Sequence, residues 1–375
     1  MRFELSSEQR LLQSVTADFL EKNGSVATVR SLADEGRHFD RNVWRQGAEL
    51  GWTAMLVPEE AGGGSASGQG LIDATIIGEQ MGLHAAPGPF TVVNTVAAAL
   101  AEASNADEHA DLVGELVAGE KVATWACCAP GGRWNPEAGA VEARADGDGY
   151  VLNGVHDSVE LGTDADVLLV LARTPEGLTQ FVIPAGTAGV SVQPLESLDL
   201  VRGFARVEYT DARVPAGALV GAAGAAAPAV ERQLQLALVL QCSELVGVVQ
   251  RVLEFTTQWM FDRYSFGRPL ASYQALKHRF ADMTMWSEAA QATMAAAAEA
   301  VQERREDAAE LVSIAKSYIG QRATDIIQDC VQLHGGIGVT WEHDIHLYLR
   351  RATVDRVTWG SPSDHRRRIA DLLEV

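Results

Sequence analysis

The alternation of apolar and polar residues divides the chain into three parts. In the first part, from Ser6 to about Glu120, apolar residues such as Leu11, Val15 and Phe19 recur at spacings of three and four. This spacing is typical of amphipathic helices. We therefore predict a helical N-terminal domain over residues 1–120.

The middle part, from Lys121 to Val220, consists of short β-branched runs separated by turn residues. Asp-Gly and Asn-Gly pairs between the runs favour tight hairpins. We predict a small antiparallel β domain over residues 121–220. Its candidate strands are Val122–Trp125, Tyr150–Leu152, Val167–Leu171, Gln180–Ile183, Val190–Val192 and Ala205–Tyr209.

The last part is helical again. An Ala/Gly-rich stretch at Gly221 to Ala227 reads as a linker, and long Ala-rich helical patterns follow from Val230. Gly335 to Gly338 is their main interruption. We predict a C-terminal helical bundle over residues 221–375, in a fold that is mainly α with a central β domain.

Composition and charge narrow the function. A chain of 375 residues is too long for one ordinary core and suggests two or three domains. The formal net charge of −20 argues against nucleic acid or an anionic membrane as partner. The N-terminus has no apolar signal core, and no stretch approaches the roughly 18 unbroken apolar residues of a membrane span. We expect a cytoplasmic protein.

The four cysteines lack the spacing of metal ligands, and no metal site is predicted. Cys127 and Cys128 are adjacent, whereas Cys242 and Cys330 are isolated in the sequence. We expect reduced structural thiols.

The segment from Asp262 to Met283 places charged and turn residues between two helical runs. Arg263 and Arg268 can offer planar, permanently charged forks to a pyrophosphate. The hydroxyl of Ser265 can donate a further hydrogen bond. This residue set therefore indicates a phosphate-bearing ligand.

A second segment, Gln332 to Gly338, contains three glycines. Gly335 and Gly336 remove side chains where backbone must approach a ligand or turn sharply. Taken alone, the same glycines are more typical of helix punctuation than of a ligand site. Their combination with the Arg263 segment favours a ligand site.

Together, the two segments resemble the cofactor-contacting motifs of the acyl-CoA dehydrogenase family. The resemblance implies a helical, β, helical architecture, FAD as cofactor, an acyl-CoA substrate, an electron-transfer flavoprotein as electron acceptor and a homo- or hetero-oligomer such as a tetramer. In that family, the flavin takes a hydride and a carboxylate takes a proton. The positions that match the family's cofactor contacts are Arg263, Ser265, Phe266, Gln274, Gln332, Gly335 and Gly336.

The chain departs from that family at the catalytic base. Trp359 stands where many members carry a glutamate near the C-terminus, and Ala237 stands at the alternative position. Glu244 lies seven residues after Ala237, close to two helical turns, on an apolar helix. Burial without a cation would raise its pKa and suit a general base. The alternative is that Glu244 pairs with an arginine or caps a backbone group.

The β domain departs further. The Cys127 segment stands where members carry Thr-Glu-Pro, Ser158 where they carry an aromatic residue against the flavin, and Glu160 where a hydroxyl would contact it. A carboxylate facing a reduced flavin would be repelled. The segments that in this family reach a neighbouring subunit are kept, whereas those serving the chain's own cofactor are altered.

Three hypotheses follow. The first is a less catalytic subunit that binds FAD jointly with a dissimilar partner, as in bacterial relatives built from two copies each of two unlike chains. The second is a self-sufficient homotetramer that uses Glu244 as base. The third is an inactive scaffold or regulatory protein. The acyl group stays open.

Overall fold

The computed structural model describes residues 5–131 and 141–374, and its elements follow the predicted order of helices, strands and helices. The N-terminal helices are α1 (Ser7–Asn23), α2 (Val26–Asp34), α3 (Arg41–Glu49), α4 (Gly70–His84), α5 (Phe90–Ala101) and α6 (Ala110–Val117). The C-terminal helices are α7 (Ala227–Asp262), α8 (Gln274–Gln302), α9 (Ala308–His334), α10 (Ile345–Val357) and α11 (Pro362–Leu372). The predicted fold class is confirmed in this order of elements.

Eight strands between the two helical parts form one sheet. They are β1 (Ala123–Ala126), β2 (Val141–Asp146), β3 (Gly149–Glu160), β4 (Val167–Thr174), β5 (Gly177–Pro184), β6 (Val190–Leu195), β7 (Phe204–Pro215) and β8 (Leu219–Val220). Their order is β6-β7-β3-β2-β4-β5-β8, with β1 also paired to β4. A separate two-stranded ribbon of β9 (Tyr264–Ser265) and β10 (Arg268–Pro269) follows α7.

The predicted antiparallel pairing holds for most neighbouring strands, but the sheet is mixed, because β1 and β2 each run parallel to β4. β1 runs parallel to β4, with Ala123 opposite Val167 and Ala126 opposite Val170. The β2–β3 hairpin lies between β1 and β4 in the chain, so β1 does not turn back onto its neighbour through a tight loop. The parallel pairing gives β4 a neighbour on each side, and its run Val167–Ala172 is wholly buried.

The chain forms two compact units. One comprises Met1–Ser31, Thr75–Ala86 and Leu238–Val375, and the other comprises Leu32–Ala74 and Pro87–Ala237. These units cut across the three predicted domains, because residues 1–120 contribute to both. The three-domain division therefore stays a prediction.

Helix α7 has the composition of a core helix. It is the one helix among the described residues that is long and apolar enough, by length and composition, to cross a membrane. Its most apolar window is, however, 83% buried within the protein. This apolarity is what core packing of a long helix requires.

Within the first unit, α4 and α7 approach each other through glycines. A Cβ added at Gly82 would lie 1.9 Å from the backbone oxygen of Glu244, and one at Gly247 would lie 2.0 Å from that of Glu79. Neither position has room for a methyl group. The close crossing holds the segment of α7 around Glu244 directly against α4.

We predict that Gly82→Ala lowers the free energy of unfolding by about 2 kcal/mol, because the new methyl group must push two backbones apart. The matched control is Gly114→Ala in α6, where an added Cβ meets nothing within 4 Å. That change should stabilise the helix by up to about 1 kcal/mol. Denaturant unfolding of both variants tests the expectation, and equal effects would contradict it.

Candidate functional site

The Arg263 segment forms a tight hairpin. Ser265 of β9 pairs with Arg268 of β10, and the two residues between them, Phe266 and Gly267, have φ of +50° and +80°. Two successive positive φ angles are the pattern of a type I′ turn. The sequence forms this turn because glycine tolerates the left-handed conformation at its second position.

Phe266 stands at the tip of that hairpin and is 96% exposed. A bulky residue at positive φ is a backbone outlier, and such outliers concentrate at functional sites. An apolar ring held in solvent by a strained turn is suited to contact a ligand or another chain.

The two arginines of the hairpin carry available charge. The Arg263 guanidinium lies 5.7 Å from the centre of the Trp259 ring, and that of Arg268 lies 3.9 Å from the Tyr273 ring. None of the ion pairs within residues 5–131 and 141–374 involves either side chain. Cation–π contacts orient a guanidinium and leave its charge available to an anion.

A hydrogen bond within the same segment fixes the backbone of the hairpin at Ser265. The Tyr273 hydroxyl donates a hydrogen bond of 2.7 Å to the carbonyl of Ser265. Gln274 is the first residue of α8 and is exposed. The hairpin therefore carries Ser265 and Phe266, and Gln274 follows it at the start of α8.

The glycine turn contains glycines of two kinds. Gly335, with φ of +64°, ends α9, and a Cβ added to it or to Gly336 would meet nothing within 4 Å. A Cβ at Gly338 would instead lie 2.6 Å from the carbonyl oxygen of Val331. Gly338 is thus a packing glycine, whereas Gly335, Gly336 and the exposed Gln332 border open space.

Trp259 links the hairpin to the glycine turn. Its Nε1 donates to the Leu333 carbonyl at 3.2 Å, and its ring stacks on His334 with centroids 5.3 Å apart. Since Arg263 lies over the same indole, both predicted segments are tied to one side chain. Trp259 is not among the residues predicted from the sequence, although its position one helical turn before Arg263 is a usable signal.

His334 lies under this turn as a neutral ring. Burial lowers its pKa, and its Nδ1 donates to the Cys330 carbonyl at 2.8 Å. The His343 ring packs edge-on against it, with centroids 4.4 Å apart. These contacts give His334 a structural role in supporting Gly335.

Glu244 is buried in an ion pair. Its Oε1 accepts a hydrogen bond of 2.5 Å from Nη1 of Arg351, and the two side chains are 7% and 3% exposed. This is the arginine pairing that sequence analysis left open as the alternative to a base. A carboxylate held by a buried cation is stabilised in its charged form, which weakens it as a proton acceptor.

Arg351 is also bound to backbone. It donates to the carbonyls of Ala86 at 3.1 Å and Ala85 at 3.3 Å, just after α4. Arg351 was not predicted as the partner of Glu244. The role of Glu244 as base stays a prediction, and its surroundings favour a structural function.

Trp359 occupies a constrained turn between α10 and α11. It is buried, has φ of +55°, and its carbonyl accepts a hydrogen bond from Nε2 of His365 at 3.1 Å. Burial lowers the pKa of His365 to about 3, so this donor is neutral. An indole at this position offers no proton acceptor.

In the other compact unit, Glu160 at the end of β3 is paired with Arg202. The Nε–Oε1 distance is 2.9 Å, and both side chains are almost fully buried. Ser158, two residues earlier, has φ of +54° at a bulge in the β3–β7 pairing. The carboxylate of Glu160 is thus paired with a cation of the same chain.

Comparison with known proteins matches both helical parts. The model of the acyl-CoA dehydrogenase N-terminal domain matches residues 6–120, and that of the acyl-CoA dehydrogenase C-terminal domain matches residues 226–373. The two matches cover more than half of the chain.

Individual proteins are similar over nearly the whole length. Acyl-CoA dehydrogenase IpdE2 of Mycobacterium tuberculosis is 30% identical, with 96% of each chain covered. A structure described as a variant of the Tcur3481-Tcur3483 steroid ACAD is 27% identical, with a TM-score of 0.88 and 98% of each chain covered. Butyryl-CoA dehydrogenase from Megasphaera elsdenii, 22% identical with full coverage of both chains and a TM-score of 0.92, shares the fold.

We predict that Glu244→Gln lowers the free energy of unfolding by about 3 kcal/mol, because Arg351 would be left as an uncompensated buried charge. Asp146→Asn is the matched control, since Asp146 pairs with Arg213 on the surface and that change should cost less than about 1 kcal/mol. Denaturant unfolding measures both. Unchanged stability of Glu244→Gln together with lost turnover would instead assign Glu244 as the base.

Proposed function

Because this chain belongs to the acyl-CoA dehydrogenase family, whose members are FAD-dependent oxidoreductases, we propose that it is one subunit of an acyl-CoA dehydrogenase with a flavin pocket shared between chains. The reaction is the α,β-dehydrogenation of an acyl-CoA thioester. FAD, when bound, supplies the acceptor for the hydride. An electron-transfer flavoprotein is the proposed acceptor of the electrons.

The exposed hairpin is the observation that carries this proposal. The guanidinium groups of Arg263 and Arg268 pack against aromatic rings. Neither forms an ion pair with a carboxylate of the described residues. Phe266 beside them is almost completely exposed. Such a group needs an anion and an apolar surface that lie outside its own compact unit.

The residues fit a nucleotide diphosphate. Arg263 and Arg268 would hold the pyrophosphate, and the Ser265 hydroxyl would donate to it. The backbone of Gly335 and Gly336 has room for close approach. Gln332 and Gln274 would supply polar side chains to the bound group. Phe266 would cover an apolar face of the bound group.

The proton acceptor is proposed to come from the partner chain. Trp359 and Ala237 cannot accept a proton, and Glu244 is already bound by Arg351. A shared pocket tolerates this division, because residues from two chains meet at each site.

A dissimilar partner is favoured over a second copy of this chain. Glu160, where a hydroxyl would contact the flavin of the chain's own β domain, is locked to Arg202. The name of the similar Tcur3481-Tcur3483 steroid ACAD joins two protein designations, which supports an assembly of unlike chains. The same name supports a steroid-derived acyl thioester as the first substrate to assay.

The visible spectrum tests the shared pocket. We expect flavin absorbance only when the chain is co-expressed with a neighbouring dehydrogenase gene product, because neither chain alone completes the pocket. Flavin absorbance in the isolated chain, bleached by an acyl-CoA, would instead support the self-sufficient enzyme. Absence of colour under both conditions would leave the scaffold hypothesis.

Arg263→Ala should weaken flavin retention by the assembled complex about tenfold or more, since a charged hydrogen bond to the diphosphate is lost. The control is Arg305→Ala, an exposed arginine of the same unit that is paired with Asp307. Flavin content after gel filtration and the thermal unfolding midpoint are the readouts. Unchanged flavin content in Arg263→Ala would exclude the proposed role.

A further inference from the structure

The two adjacent cysteines follow the end of β1 in the second compact unit. The sulfur atoms of Cys127 and Cys128 are 3.9 Å apart. Cys127 is buried, and Cys128 is partly accessible. The other two cysteines, Cys242 and Cys330, are buried in the first unit and have no thiol neighbour among the described residues.

We propose that Cys127 and Cys128 are a site of reversible oxidation to a disulfide between adjacent residues. The accessible Cys128 thiolate attacks a low-molecular-weight disulfide such as glutathione disulfide, forms a mixed disulfide and expels one glutathione thiolate. The Cys127 thiolate then attacks the Cys128 sulfur and expels the second. The protons of the two protein thiols pass to the two glutathione thiolates, so the protein loses two hydrogens while the glutathione disulfide is reduced.

The product is strained and therefore easily reduced again. Adjacent Cα atoms lie about 3.8 Å apart across a trans peptide, below the usual separation of about 4.4 Å or more for a disulfide. Strain of this kind makes a disulfide more oxidising and labile, as in regulatory rather than structural bonds. Because the disulfide is easily reduced, we expect Cys127 and Cys128 to be thiols most of the time.

The order of attack follows from burial. Burial raises the pKa of the Cys127 thiol well above its usual range, and the adjacent Cys128 thiol adds to this shift. Cys127 is therefore a poor first nucleophile, and it reacts only once a mixed disulfide on Cys128 lies beside it. Oxidation should accordingly become faster as pH rises.

Oxidation also has a structural consequence in β3. The Cys128 carbonyl accepts a hydrogen bond of 3.0 Å from the Asp157 amide. Closing a small ring that includes the Cys128 Cα constrains the backbone torsions of Cys128, which shifts the carbonyl attached to that Cα and weakens this hydrogen bond. Asp157 lies next to the Ser158 bulge and three residues before Glu160, so the thiol state acts on this end of the strand.

The experiment treats the purified full-length chain with glutathione disulfide and then alkylates the remaining thiols. Tryptic peptide 122–133, which contains both cysteines, should lose two hydrogens and all alkylation, and dithiothreitol should restore both. Amide exchange in the peptide that contains Asp157 should become faster in the oxidised form. Full alkylation of Cys127 and Cys128 after treatment, or a lasting glutathione adduct on Cys128, would overturn the proposal.

Two variants keep the result interpretable. Cys127→Ala should hold one glutathione on Cys128, because the resolving thiol is gone. Cys330→Ala should leave the oxidation of Cys127 and Cys128 unchanged. An internal loss of two hydrogens in Cys127→Ala would also contradict the mechanism.

Discussion

The buried ion pair between Glu244 and Arg351 is the interaction on which the helical unit depends. Removing both charges from water costs several kcal/mol per ion, and this cost is offset only if every charged group finds partners. Arg351 does so by donating to Glu244 on α7 and to the carbonyls of Ala85 and Ala86 after α4. One guanidinium thereby joins α10 to two other segments. A carboxylate with this function is poorly placed to exchange protons with a substrate.

A second buried cation has a similar function at the C-terminal end of α10. The Lys316 side chain on α9 is fully buried and donates to Gln241 and to the carbonyls of Asp355 and Thr358. It satisfies carbonyls that the helix end leaves without an intrahelical partner. The turn that carries Trp359 is consequently fixed from inside. Both buried cations are committed to architecture, whereas the arginines of the hairpin are not.

The sequence pattern predicts those features of the structure that depend on interactions between residues close together in the chain. The order of helices and strands, the turn at Phe266 and the turn at Gly335 follow from residues within a few positions of each other. The pairing of β1 with β4 and the partner of Glu244 do not, because Arg351 lies 107 positions later in the chain. The local sequence around a buried glutamate on an apolar helix is the same whether or not a cation from a distant segment pairs with it. Tertiary contacts decide between a base and a structural ion pair.

The conformation of the hairpin is locally unfavourable, and no contact among the described residues of its own unit offsets that cost. Phe266 combines positive φ, which costs about 1–3 kcal/mol, with nearly complete exposure of an apolar ring. Phe261 and Tyr264, just before it, are also largely exposed. In the proposed shared pocket, a surface of the partner chain would cover these exposed rings. The same surface, together with the bound diphosphate, would receive the charges of Arg263 and Arg268, so the proposed assembly would explain both the exposed apolar rings and the unpaired cations of the hairpin.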